Sequence, residues 1–122
     1  MIADRNTRVR DFLRREFLSE GYKVKLAKDG QQILSQVYNP DPVHLLIMDL
    51  DLPDMDGAEV LANLQDRIPT LPVVLHTYSQ ENSVHSIFPM AEVFVEKRGN
   101  SVERLKKVVR EIFVKKKFGG GY

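Results

Sequence analysis

Val43-His44-Leu45-Leu46-Ile47-Met48 is a nearly continuous apolar run that stops abruptly at Asp49. A strand with one face in water alternates apolar and polar residues. A strand buried on both faces does not, and such strands belong to the centre of parallel sheets. The segment therefore demands strands on either side, helices above and below, and crossover connections between them. It also delivers a carboxylate at the point where the buried strand emerges.

The rest of the chain supplies those parts, because its hydrophobic pattern switches repeatedly between strand-like and helix-like periods. Met1-Ile2-Ala3 is a very short first strand. Val9, Phe12, Leu13 and Phe17 share one face of a helix from Asn6 to Glu20, with Asn6 or Thr7 as its cap and Gly21 as its stop. Tyr22 to Ala27 alternates with Lys23 and Lys25, as a half-buried or edge strand does. A second helix is predicted from about Gly30 to Tyr38, before Pro40 and Pro42, and a third from about Ala58 to Asp66. Pro72 to His76 and Val93-Phe94-Val95 are further strands, separated by a short helix marked by Val84, Ile87 and Phe88 before Pro89. Val102, Leu105, Val108, Val109, Ile112 and Phe113 mark a long amphipathic helix from about Ser101 to Lys116. Five strands alternating with five helices predict a doubly wound α/β domain with a five-stranded parallel sheet and right-handed crossovers.

In such folds reacting groups gather at the carboxyl ends of the strands. Asp4, Asp49, Thr77 and Lys97 each lie at or just past the end of a predicted strand. Four polar groups from distant segments are thus expected on one edge of the sheet. A carboxylate there can attack phosphorus and become an acyl phosphate, while an ammonium and a hydroxyl stabilise charge on the phosphoryl oxygens. In that arrangement Asp49 is the nucleophile, Lys97 the cation and Thr77 the hydroxyl donor. A magnesium ion, which favours oxygen ligands in an octahedron, commonly bridges phosphoryl and carboxylate oxygens.

Composition narrows the alternatives. A chain of 122 residues is long enough for one domain with its own core. The expected division is a folded domain over residues 1–117 and a flexible tail over 118–122. There is no cysteine, which excludes a disulfide scaffold, a thiolate metal site and a thiol nucleophile, and suits a cytoplasmic setting. With 18 basic and 17 acidic residues the net charge is +1, so nothing drives the whole chain towards nucleic acid. The basic run at 115–117 is expected to be a solvated helix end. No apolar run approaches the length of a membrane span. His44, His76 and His85 have no ligand-like spacing to one another.

The stretch Leu46-Ile47-Met48-Asp49-Leu50-Asp51-Leu52-Pro53-Asp54-Met55-Asp56-Gly57 strongly resembles the phosphoacceptor loop of response-regulator receiver domains. The likeness covers nearly the whole chain. Gly21-Tyr22-Lys23-Val24 and Ala27-Lys28-Asp29-Gly30 look like that family's second strand and following turn. Leu71-Pro72-Val73-Val74-Leu75-His76-Thr77 looks like its fourth strand with the switch hydroxyl, and Val93-Phe94-Val95-Glu96-Lys97 like its fifth strand with the lysine. The resemblance implies the flavodoxin-like (βα)5 receiver fold and a phosphoacceptor switch, not an enzyme in the ordinary sense. A histidine kinase or phosphotransfer protein would phosphorylate Asp49. Thr77 would turn towards the phosphoryl group and Phe94 would move inward. The surface of the last strand and helices would then change its affinity for an output protein or domain, with the last helix also a candidate homodimer surface. The resemblance further implies a magnesium ion on Asp4, Asp49 and the backbone carbonyl of Asp51.

The chain departs from that family at several places. The family usually has two adjacent acidic residues after the first strand, and here they are Asp4-Arg5. Arginine removes an oxygen ligand and adds a positive charge, so weak or absent magnesium binding is expected, with the guanidinium pairing with Asp49 instead. Tyr78 stands where a small residue usually follows the switch hydroxyl, and either crowds the approach to Asp49 or points outward. Arg98 stands where proline usually follows the lysine. The interval from Thr77 to Lys97 is short, so the fourth helix is expected to be short or distorted. Two other functions compete. A phosphorylation-independent interaction module would use Arg5 to fill the metal site. A haloacid-dehalogenase-type phosphatase also forms an aspartyl phosphate on a motif like Asp49-Leu50-Asp51, but needs a later acidic pair that this chain lacks after its last predicted strand.

Overall fold

The computed structural model describes residues 1–39, 41–65, 67, 69–78 and 91–119, with side chains as far as Lys115. The elements are β1 (Ile2–Ala3), α1 (Thr7–Ser19), β2 (Leu26–Ala27), α2 (Gly30–Val37), β3 (Leu46–Met48), α3 (Gly57–Leu64), β4 (Val73–Thr77), β5 (Val93–Glu96) and α4 (Ser101–Gly119). All strand pairs are parallel, in the order β2-β1-β3-β4-β5. The expected helix at Val84, Ile87 and Phe88 falls outside the described residues, as does His85, so α4 denotes the C-terminal helix.

The apolar run sits where its composition demands, in the middle of the sheet. Leu46 and Met48 pack with Ile33 of α2, Val60 and Leu61 of α3, and Leu75 of β4. Ile47, pointing the other way, packs with Leu13 and Phe17 of α1, Val74 of β4, and Leu105 and Val109 of α4. Each such side chain taken from water contributes roughly 1.5–3 kcal/mol. Lys106 of α4 meets Glu16 of α1 at 2.7 Å and ties the two helices of that layer together.

Two strands begin later than the sequence suggests. Tyr22 to Lys25 and Val43 to Leu45 lead into β2 and β3 without belonging to them. Val43 and Leu45 are nevertheless buried, and the Leu45 carbonyl accepts from the Met1 amino group at 2.8 Å, so their apolar character reports burial just ahead of the assigned strand. At the other end, α4 continues to Gly119, beyond the expected stop near Lys116.

The cap of α1 is Asn6, one of the two that the sequence offers, and α2 adds a cap of its own at Asp29. Asn6 accepts from the N–H groups of Arg8 and Val9, and Asp29 accepts from that of Gln32. Gly21, with φ of 92°, takes the left-handed conformation that closes α1.

The feature that builds the site is register. The ladder runs one step past the strands, with Asp4 N–H donating to the Ala27 carbonyl, Asp49 N–H to Ala3 and Lys97 N–H to Thr77. The functional residues therefore leave the sheet at a common level.

Candidate functional site

Asp49 is buried at the exit of β3, and both of its carboxylate oxygens are engaged. Oδ1 accepts from Thr77 Oγ1 at 2.8 Å and from the Asp51 N–H at 3.0 Å. Oδ2 accepts from Lys97 Nζ. The same ammonium lies 2.6 Å from Asp4 Oδ2, while Asp4 Oδ1 accepts from the Asn6 N–H. Arg10 donates to the Asp4 carbonyl at 2.6 Å and steadies the turn between β1 and α1. Two buried carboxylates thus share one ammonium. Burial alone lowers the Lys97 pKa, but its hydrogen bonds and charge interactions with Asp4 and Asp49 outweigh this and raise it above the ordinary lysine value.

Among the sequence-predicted residues, Asp4, Asp49, Thr77 and Lys97 come together. Arg5 does not join them in the expected way. Its guanidinium, foreseen on Asp49, lies on the side chain of Asp51, with Nη1 at 3.3 Å from Oδ1 and 3.4 Å from Oδ2. Asp49 is already saturated by Lys97, Thr77 and the Asp51 N–H, whereas Asp51 is exposed and unburdened by burial. Tyr78 is 66% exposed, and its ring centroid is 5.6 Å from Lys97 Nζ. The phenol therefore flanks the site from outside and does not plug it. Phe94 is partly buried against the core layer of α2 and α3. Arg98 pairs with Glu96 at 2.8 Å.

The loop between β3 and α3 is anchored twice. The N–H groups of Gly30 and Gln31, at the start of α2, donate to the two oxygens of Asp54 at 2.8 and 2.9 Å. The Gly30 bond chiefly holds this carboxyl below the usual carboxylate range; desolvation opposes it, and the Gln31 N–H adds a further lowering. Gly57 opens α3 directly against the strand exit, where an added Cβ would lie 2.7 Å from Leu50 Cα. A side chain at that position would push on backbone and displace the loop that carries Asp51.

His76 was set aside in the sequence but is a structural member of this edge. Its Nε2 is 3.0 Å from Ser101 Oγ at the start of α4. Its Nδ1 is buried with no partner among the described residues. Burial first, and then the neighbouring Lys97 charge, lower its pKa to about 4, so the ring is neutral near neutrality. A polar residue inside an otherwise apolar strand was the available signal. For Asp54 no comparable signal existed, since its partners are 23 and 24 residues away in sequence.

A divalent cation fits these residues poorly. The available oxygens are those of Asp4, Asp49 and the Asp51 carbonyl, and the Lys97 ammonium already lies between the two carboxylates. The position that would add a third acid carries Arg5. Among the described residues no group of three His, Cys, Asp or Glu side chains gathers as a metal site. What the arrangement offers instead is a carboxylate nucleophile with an ammonium and a hydroxyl poised for a second set of oxygens. Among the described residues no helix is long and apolar enough to cross a membrane.

Comparison with known proteins agrees with this architecture. The family model for the response regulator receiver domain matches residues 1–110. Response regulator RR06 of Streptococcus pneumoniae serotype 2 strain D39 is 30% identical over 118 residues, covering 93% of this chain and 54% of that protein. The chain thus spans about half the length of this curated relative. A CheY-like receiver domain protein from Methanospirillum hungatei JF-1 is 29% identical with a TM-score of 0.79, over 95% of this chain and 94% of that one. TrrA of Thermotoga maritima, solved in complex with Mg(2+)-BeF, shares the fold at 24% identity and a TM-score of 0.78, over 89% of this chain and 94% of that one. With the family match spanning all five strands and the start of α4, this chain belongs to the response regulator receiver domain family.

Proposed function

We propose that the chain is a phosphorelay switch in which Asp49 accepts a phosphoryl group from a histidine kinase or phosphotransfer protein. The observation that carries this reading is the buried Asp49 carboxylate with a hydroxyl on one oxygen and an ammonium on the other. An Asp49 oxygen attacks phosphorus, a new O–P bond forms, and the donor's bond to phosphorus breaks with its electron pair staying on the leaving atom. No proton need move within the site. Lys97 Nζ and Thr77 Oγ1 pass from carboxylate oxygens to phosphoryl oxygens, where charge is now concentrated.

The placement of these groups supports the switch reading. Thr77 ends β4, and Phe94 of the neighbouring β5 pairs with Leu75 of β4. A shift of Thr77 towards the phosphoryl group frees space along β4 that Phe94 enters, and the exposed surface of β5 and α4 changes with it. Phosphorylation thereby biases a two-state equilibrium read by an output protein or domain, or by a second copy through α4. The receiver unit is taken as residues 1–117. Magnesium, where it binds at all, binds weakly. The rival reading, a phosphorylation-independent module locked by Arg5, is disfavoured because Arg5 holds Asp51 and leaves Asp49 to Lys97 and Thr77.

The test is intact mass after incubation with acetyl phosphate. The wild-type chain is expected to gain one phosphoryl group and the Asp49→Asn variant none. No gain in the wild type, or an equal gain in both, would sink the reading.

A further inference from the structure

We propose that Arg5 is a second phosphoryl-binding cation of this site beside Lys97: its guanidinium leaves the Asp51 carboxylate and engages the oxygens of a phosphoryl group carried by Asp49. The proposal rests on the phosphoacceptor reading of Asp49.

Four observations carry it. Arg5 directly follows Asp4, whose carboxylate shares the Lys97 ammonium with Asp49, so its backbone stands at the wall of the site. Its present partner, Asp51, lies on the loop whose N–H donates to Asp49 Oδ1. The Arg5–Asp51 pair therefore spans from the β1 edge to the loop beside the reactive oxygen. The pair is loose, with one nitrogen serving both oxygens at 3.3 and 3.4 Å. Both side chains are at least half exposed, and an exposed ion pair of this kind holds its partners weakly.

Charge supplies the reason to move. Asp4, Asp49 and Lys97 together carry one surplus negative charge. A phosphoryl group on Asp49 replaces the single carboxylate charge with roughly two negative charges near neutral pH. Lys97 cannot balance both that group and Asp4. A divalent ion is the usual remedy, and the residues here do not provide for one. A guanidinium recognises phosphoryl oxygens through two parallel N–H donors and needs no further ligands. The swing also frees Asp51, so the loop between β3 and α3 responds directly to phosphorylation.

The experiment follows phosphorylation by acetyl phosphate, read by intact mass, in wild type, Arg5→Ala and Arg5→Glu, from EDTA through a magnesium chloride series. A second readout is the thermal midpoint of each chain with magnesium chloride alone. The wild type is expected to be modified in EDTA at a rate within about threefold of its rate in magnesium, and Arg5→Ala roughly tenfold more slowly in EDTA, as the loss of a charge-assisted contact implies. Arg5→Glu is expected to need magnesium for modification and to be stabilised by magnesium alone, while the wild type is not. The proposal is overturned if the wild type depends on magnesium as strongly as Arg5→Glu, or if Arg5→Ala matches the wild type in EDTA. A wild-type chain that takes no phosphoryl group under any condition removes the Asp49 reading itself. A wild type modified on Asp49 but indifferent to Arg5 removes only this inference.

Discussion

Two ion pairs stand side by side on the carboxyl edge of the sheet and obey opposite rules. Lys97, Asp4 and Asp49 are buried, with side-chain exposures of 9%, 3% and 6%. Arg5 and Asp51, one and two residues along from two of them, are exposed at 50% and 77%. In the buried cluster neither carboxylate can turn to water, so the ammonium is obligatory. In the exposed pair water is always an alternative, so the contact is a resting place. On the proposed reading the buried centre presents the Asp49 nucleophile and the exposed rim answers the new charge.

The largest expected effect comes from breaking the buried cluster. Lys97→Met leaves Asp4 and Asp49 facing each other without a cation and is expected to cost about 3–5 kcal/mol, read from urea unfolding near neutral pH. Adding Asp49→Asn to that variant removes one of the two opposed charges and is expected to restore part of the loss, a coupling that a double-mutant cycle measures.

The next effect is pH-dependent and belongs to His76. Its folded pKa of about 4 lies below the unfolded value of 6.5. As pH falls, the unfolded chain takes up the proton first. Stability present above about pH 6.5 is therefore lost as pH falls towards the folded value, by roughly 2 kcal/mol near pH 5. His76→Leu is expected to flatten this part of the curve, and a curve identical to the wild type would remove His76 from the account.

Smaller changes follow at the anchor and at the rim. Asp54→Ala unties the β3–α3 loop from the start of α2, and the amides of Gly30 and Gln31 are expected to exchange several-fold faster while global stability falls only modestly. Arg5→Ala is expected to change stability by no more than about 0.5 kcal/mol. A much larger change there would erase the contrast between rim and centre.

The same contrast governs what the sequence discloses. Burial on both faces leaves a compositional trace, so the run before Asp49 and its place in a parallel sheet are legible. The juxtaposition of Asp4, Asp49, Thr77 and Lys97 is also legible, because strand ends in such a sheet share one edge. The extent of each strand is less so: Val43 and Leu45 look like strand residues because they are buried, although β3 begins only at Leu46. Choices among nearby polar partners leave no trace. Whether Arg5 takes Asp49 or Asp51 depends on which carboxylate is already satisfied. The binding of Asp54 across to α2, and of His76 to Ser101, depends on packing between segments that the chain separates widely.

The most direct measurement locates the phosphoryl group itself. The chain is treated with acetyl phosphate, the acyl phosphate is reduced with borohydride, and the digested peptides are sequenced by tandem mass spectrometry. The account predicts a single reduced position at Asp49. Reduction at Asp51, Asp54 or Asp4 instead, with Asp49 untouched, would contradict it.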